Sequence, residues 1–292
     1  MHPDGPSVVA IGGGHGLART LGAARRYAKS ITAVVSVADD GGSSGRLRRD
    51  LAIPAPGDIR RALLALLPSP SRLGDALGYR FDRGELRGHA LGNLLLAALA
   101  AECGSFVSAV EEACRILGTV GEVLPAAAVP VTLFAQAAGH RVAGQVAVMG
   151  ERDITCVTLE PPDASAPDAV LDAIAAADQI LVGPGSLYTS ILAALAPVGI
   201  MKAIETSGAR TIYLANLKEQ VPETAGYDIG RHLLALRAHG FIPDAVLVDS
   251  RSIEIGEIDA GIDVVVADVA DGNGVVHDEL RLSEFLVSDW SR

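Results

Sequence analysis

The chain has 292 residues, 49% of them hydrophobic, and a formal net charge of −11. That length and apolar content suffice for a large α/β core, and the acidic balance argues against non-specific nucleic-acid binding, which needs a basic surface to displace counterions. No apolar run reaches the roughly 20 residues of a membrane span, Met1–Ser7 lacks the features of a leader, and Cys103, Cys114 and Cys156 form no CxxC pair, so a cytoplasmic protein with reduced thiols, no zinc site and no disulfide framework is expected.

Val8–Ile11 is an apolar run between Pro6 and Gly12 and predicts a first strand. Leu17–Lys29 carries Leu17, Leu21 and Ala24 at helical spacing, and Ile31–Ala38 is rich in β-branched residues, which completes a strand, helix, strand unit with a parallel crossover. Helices are predicted at Asp58–Leu67, with Asp58 as N-cap, and at Ala90–Glu102 and Phe106–Leu117. From about 129 to 160 there is no room for crossover helices. Pro130–Ala137, Arg141–Met149 and Ile154–Glu160 read as an antiparallel hairpin plus one strand. Alternation then resumes with a helix at Ala169–Ala177, a strand at Gln179–Val182, a helix at Leu187–Leu195 and a strand at Thr211–Leu214. A helix at Tyr227–His239 and strands at Ala245–Val248 and Val264–Val266 follow. Six or seven strands alternating with helices predict an α/β, Rossmann-like, doubly wound and mostly parallel sheet, in a single domain spanning 1–292 with the antiparallel insert.

Three glycine-rich turns sit where apolar runs stop: Gly12-Gly13-Gly14-His15-Gly16, Asp39-Asp40-Gly41-Gly42-Ser43-Ser44-Gly45-Arg46 and Gly183-Pro184-Gly185-Ser186-Leu187-Tyr188-Thr189-Ser190. A strand that hands over to a helix through glycines leaves backbone N–H groups free to hold a phosphate. The first turn is neither a dinucleotide fingerprint, whose third glycine would fall at Leu17, nor a Walker A loop. Asp39 stands where an acid reaches a ribose hydroxyl, and adjacent aspartates on a turn seldom point the same way. One is therefore expected on a ribose or a hard ion such as Mg²⁺ and the other on the turn itself. Ser43, Ser44 and Arg46 add hydroxyls and charge beside them, although a solvated helix face is the default explanation of the basic run Arg46–Arg49. His89 and Asn93 fall on neighbouring positions of a first helical turn, where the histidine serves as acid, base, phosphate ligand or simple cap. Tyr188 is a candidate for stacking on a ring, and Asn216 with Glu223-Thr224 extends the polar rim. No Gly-x-Ser-x-Gly elbow is present.

The motifs GGGHG (Gly12–Gly16), VADDGGSSGRLR (Val37–Arg48), PGDIR (Pro56–Arg60), GHALGNL (Gly88–Leu94), GEVLP (Gly121–Pro125) and GPGSLYTSI (Gly183–Ile191) resemble, in this order, the YvcK family of gluconeogenesis factors. That family is grouped with the CofD-like 2-phospho-L-lactate transferases. The resemblance implies a bacterial protein needed for cell shape and wall synthesis on gluconeogenic carbon sources, with UDP-N-acetylglucosamine as ligand and a nicotinamide dinucleotide as an alternative occupant. By motif match, Asp39 and Asp40 correspond to the acidic pair at the metal and phosphate site of the transferases. Gly12, Gly13, Gly14, His15, Gly16, Gly183, Gly185, Ser186, Tyr188 and Thr189 would surround the nucleotide. Where relatives read Pro-Gly-Glu-Thr, this chain has Val221-Pro222-Glu223-Thr224, which restricts the loop. Similarity after Ser250 is loose.

The leading expectation is a nucleotide-sugar-binding regulatory protein that contacts a wall-synthesis or regulatory partner. The alternative is a Mg²⁺-dependent transferase of the 2-phospho-L-lactate type, with Asp39 or Asp40 holding the metal. The broken fingerprint disfavours a nicotinamide oxidoreductase. A homodimer is common for such folds.

Overall fold

The computed structural model describes residues 2–290; Met1, Ser291 and Arg292, the ends of the expected 1–292 domain, lie outside the described residues. The strands in chain order are β1 (Ser7–Gly12), β2 (Ser30–Val35), β3 (Glu122–Pro125), β4 (Thr132–Ala137), β5 (His140–Ala143), β6 (Ile154–Glu160), β7 (Gln179–Val182), β8 (Arg210–Leu214), β9 (Ala245–Asp249) and β10 (Asp263–Ala267). Seven of them form one sheet in the order β10-β9-β8-β7-β1-β2-β3, and every pairing in it is parallel. The expected small antiparallel element is the separate sheet β5-β4-β6.

Central strands need apolar side chains on both faces because helices cover both, and β7 and nearly all of β1 are buried along their length. β10 closes one edge, with Val266 still 51% exposed. From β1 the chain builds outward through β2 to β3; from β7 it builds the other way, so the order reverses between β1 and β7. This reversal is the topological switch point, and both strands deliver their glycine turns to it. Ile11 lies in register with Val182, and the buried Thr20 hydroxyl donates to Gly183 O at 2.7 Å, locking helix Gly14–Ala24 to the third turn. A Cβ on Gly16 would lie 2.1 Å from Pro184 O, so only glycine permits this approach.

Several elements differ from the sequence expectations. Residues Gly42–Leu51 are helical, so the second glycine segment is a helix start rather than a long turn. Ala55 rather than Asp58 caps helix Pro56–Ala65, because Pro56 occupies the first helical position and moves the start forward. Expected strand Arg141–Met149 divides into β5 and helix Gln145–Met149 at Gly144. Leu187–Leu192 is a π-helical segment that runs into Ala193–Leu195. β3 and helices Arg72–Gly78, Ile200–Ser207 and Glu279–Trp290 were not expected. Among the described residues, no single helix is long and apolar enough to cross a membrane.

Candidate functional site

At the first turn, Gly13 is extended and Gly14 has a φ of +67°, turning the chain from β1 into its helix. The N–H of Gly14 already donates to Asp58 Oδ2 at 2.8 Å. Asp58 is 8% exposed and also pairs with Arg61. Burial pushes its pKa up; Arg61 and the Gly14 N–H oppose this, while Asp39 adds to it. A carboxylate from the chain itself thus takes one of the donors expected for phosphate. His15 stands at the same turn, and partial desolvation with Arg61 nearby holds its pKa down against Asp58.

The two aspartates diverge, as adjacent turn residues should. Asp39 Oδ1 accepts the N–H of Gly41 at 2.9 Å, which makes Asp39 the residue that braces the turn. Asp40 Oδ1 accepts the N–H of Val146 at 2.9 Å and caps the helix of the antiparallel insert. Asp40 therefore points away from Asp39 toward Gly144. Over Gly57 a cradle remains: a Cβ there would meet Ser44 Oγ at 2.4 Å and Asp39 Oδ2 at 3.1 Å. Carboxylate and hydroxyl oxygens are the donors a hard cation takes, so Asp39 with Ser44 fits Mg²⁺ better than Asp39 with Asp40. Among the described residues no cluster of three His, Cys, Asp or Glu side chains gathers to complete such a site, so phosphate oxygens and water would fill the remaining positions.

Ser43, His89 and Asn93, singled out separately in the sequence, meet in one chain of hydrogen bonds. Arg60 donates to Asn93 Oδ1 at 3.2 Å, Asn93 Nδ2 donates to Ser43 Oγ at 3.0 Å, and Ser43 lies 3.0 Å from His89 Nδ1. Ser43 Oγ accepts from Asn93 and, with the proton of a neutral ring on Nε2, donates its own proton to Nδ1. The other tautomer would leave the Ser43 proton without a partner among the described residues. Burial, Arg46 and Arg80 keep the pKa of His89 low. Arg46 itself donates to Arg87 O at 2.8 Å, and the half-buried Arg48 donates to Ala38 O and Val131 O, bracing the aspartate turn against β4. A solvated helix face therefore describes Arg49 but not Arg48.

At the third turn, Asn216 grips Gly185 at both backbone groups, accepting from its N–H at 2.9 Å and donating to its carbonyl at 2.8 Å. Glu223 is 3% exposed and accepts from Tyr188 N at 2.7 Å, Thr189 N at 3.3 Å and Thr189 Oγ1 at 3.0 Å. Burial drives its pKa up against those bonds. The backbone donors of Tyr188 and Thr189 thus hold an internal carboxylate. The Tyr188 ring is 2% exposed with its hydroxyl 3.1 Å from Tyr227, a buried position in place of the expected stacking surface. The restricted Val221-Pro222 loop still delivers Glu223 to the helix start.

Between the first and third turns opens a crevice of about 230 Å³ lined by His15, Gly16, Arg19, Pro184, Gly185 and the segment Asn216–Gln220, with Val275–His277 across from them. It brings together His15, Gly16, Gly185 and Asn216 from the expected set. Gly12, Gly13 and Gly183 lie at the strand ends and do not line it. Asp39, Asp40, Ser43, Ser44, Arg46 and Asn93 belong to the neighbouring site after β2, while Ser186, Tyr188 and Thr189 lead into the buried helix. Sequence reasoning missed Arg19, Lys218 and His277. Arg19 carries a signal in hindsight, lying one helical turn beyond His15 on the same helix; His277 lies beyond Ser250, where the sequence offered no motif.

The chain matches the 2-phospho-L-lactate transferase CofD family model over residues 8–281. A protein of Thermoanaerobacterium thermosulfurigenes is 38% identical over 97% of each chain. The "Gluconeogenesis factor" of Bacillus subtilis is 42% identical over 85% of this chain and 80% of its own length. A crystal structure described as a member of the UPF0052 family, from Bacillus halodurans, superposes with a TM-score of 0.90 at 37% identity, covering 96% of this chain and 98% of that one. The chain spans 55% and 56% of the length of two further relatives. On these matches the chain belongs to the CofD family and, within it, to the gluconeogenesis factors.

Proposed function

We propose that this protein is a cytoplasmic, single-domain regulator that binds a nucleotide-sugar, UDP-N-acetylglucosamine, at the switch-point crevice. In this reading ligand occupancy controls contact with a partner in wall synthesis and thereby cell shape during gluconeogenic growth. The observation that carries it is the crevice itself: two glycine turns meet at the reversal of strand order, and Arg19 and Lys218 line it. Backbone donors and cations around a narrow slot are the chemistry of diphosphate recognition. The crevice volume of about 230 Å³ suits the diphosphate, with nucleoside and sugar extending along the open sheet edge. A nicotinamide dinucleotide carries the same diphosphate and is the natural competitor. The name shared by relatives supports the link to gluconeogenesis.

The second reading is a Mg²⁺-dependent transferase of the 2-phospho-L-lactate type, favoured by the family match and by Asp39 and Ser44 converging over Gly57. Calorimetric titration with UDP-N-acetylglucosamine, GDP and NAD, each with Mg²⁺ and with EDTA, separates the two. Metal-independent binding of the UDP-sugar supports the regulator. Mg²⁺-dependent preference for GDP supports the transferase and overturns the first reading.

A further inference from the structure

Beside the crevice lies a larger cavity of about 790 Å³, lined by His15, Arg19, Arg25, Arg26 and Arg61, with Glu279 its one acidic side chain. Glu279 offsets Arg19 and Asp58 offsets Arg61, which leaves Arg25 and Arg26 as the lining cations without a carboxylate partner among the described residues, in a chain of net charge −11. Three of the guanidinium groups are held in place. Arg25 donates to Ala65 O at 2.9 Å and Pro68 O at 3.1 Å, Arg61 pairs with Asp58, and Arg19 pairs with Glu279 at 3.1 Å. Arg26 is exposed, and its guanidinium makes no hydrogen bond or ion pair among the described residues. Next to it, Asp271, Asp278 and Glu279 line a further cleft with Arg19 and Arg26. Asp271 and Asp278 are occupied by backbone N–H groups, those of Val275 and Val276 and those of Leu280 and Arg281. His15 and Arg19 border both the cavity and the crevice and form the wall between them.

We propose that this arginine-lined cavity is a second binding site, distinct from the nucleotide crevice, for a small molecule bearing at least two phosphate charges. The planar forks of Arg25, Arg26 and Arg61, which line the cavity and not the crevice, match phosphate oxygens, and anchoring Arg25 and Arg61 in advance lowers the ordering cost of binding. The volume lies within the range of small-molecule sites. Arg61 and Arg19 are also among the charges that depress the pKa of His15, a sign of the positive field at the wall. Glu279 lies over Gly22, where a Cβ would meet its carboxylate at 2.4 Å, and it competes for Arg19 with an incoming anion. The proposal is independent of which nucleotide the crevice takes.

The test uses inorganic pyrophosphate as the probe, titrated calorimetrically into the full chain and into Arg26→Glu and Glu279→Gln, with UDP-N-acetylglucosamine titrated separately into each. Pyrophosphate is expected to bind the wild type, to bind Arg26→Glu about tenfold or more weakly, and to bind Glu279→Gln several-fold more tightly, each tenfold being about 1.4 kcal/mol. UDP-sugar binding is expected to be the same in Arg26→Glu as in the wild type. Arg26→Ala, which removes charge without reversing it, repeats the loss at smaller size and guards against a misfolded variant. No pyrophosphate binding to the wild type at millimolar concentration, or binding unchanged by Arg26→Glu, overturns the site. Weakening of both probes by Arg26→Glu makes the cavity an extension of the crevice and overturns its separateness. If the UDP-sugar fails to bind the wild type, the nucleotide reading fails while the pyrophosphate series still decides the cavity.

Discussion

Asp58 lies 44 residues from Gly14 in sequence, yet its carboxylate accepts the Gly14 N–H at 2.8 Å, so the first glycine turn already holds an anion. An incoming phosphate meets that charge. Replacing it with a neutral acceptor, Asp58→Asn, keeps the hydrogen bond and removes the repulsion. The variant is expected to stay folded and to bind UDP-N-acetylglucosamine several-fold more tightly, read by calorimetry. Equal or weaker binding would show that Asp58 serves the ligand rather than opposing it.

Glu223 plays the corresponding part at the third turn, where three donors converge on one buried carboxylate. Glu223→Ala strands the buried N–H groups of Tyr188 and Thr189 and is expected to cost about 2–4 kcal/mol in urea unfolding. Glu223→Gln keeps an acceptor for the backbone and should lose less than half as much. If the two variants are equally stable, the carboxylate does not hold the helix start.

Much of this was legible and some was not, for physical reasons. Helix Phe106–Leu117 has the bounds expected from the sequence; in the structure Ser105 caps its start, accepting from Ser108 N, and Gly118 ends it in the left-handed region. The switch point was legible because β1 and β7 are short apolar runs stopped by glycine. Helix Gly42–Leu51 was hidden by Gly-Ser-Ser-Gly, a poor helix sequence on local propensity. Tertiary contact makes that composition necessary, since a Cβ on Gly45 would lie 1.8 Å from Asp40 O. Likewise, Asp58 looked like a cap because its true partners, Gly14 and Arg61, include one that only the fold brings near. The arginine cavity was invisible because Arg61 joins Arg19, Arg25 and Arg26 only when two helices pack.

Two buried histidines give the fold a pH dependence of definite sign. Burial pushes His232 and His277 down to about 4, against the opposing charges of Asp228 and Asp249 respectively. A folded pKa below the unfolded value of about 6.5 means that their contribution is complete above pH 6.5 and is lost as the pH falls from there toward 4. Each can account for up to roughly 3 kcal/mol over that window. Asp58 and Glu223, whose pKa values are raised, work in the opposite direction: their stabilisation is present at low pH and lost as the pH rises through their folded values. Urea midpoints should therefore fall between pH 7 and pH 5, and His277→Gln should shrink that fall. A fall of unchanged size in the variant would remove His277 from the account.

The divergence of the paired aspartates makes the final prediction, because only one of them faces the cradle over Gly57. Under the transferase reading, Asp39→Asn is expected to abolish the Mg²⁺-dependent part of GDP affinity, a change of about tenfold or 1.4 kcal/mol, with the fold intact. Asp40→Asn should leave the Mg²⁺ response within about twofold on the same scale, while Asp40→Ala should loosen helix Gln145–Met149 by about 1 kcal/mol through loss of the bond to Val146 N. Calorimetry with Mg²⁺ against EDTA reads the first effect, and hydrogen exchange at residues 145–149 reads the second. A Mg²⁺ response that survives Asp39→Asn and disappears in Asp40→Asn would place the cation beside the antiparallel insert, and the insert would then belong to the site rather than to its frame.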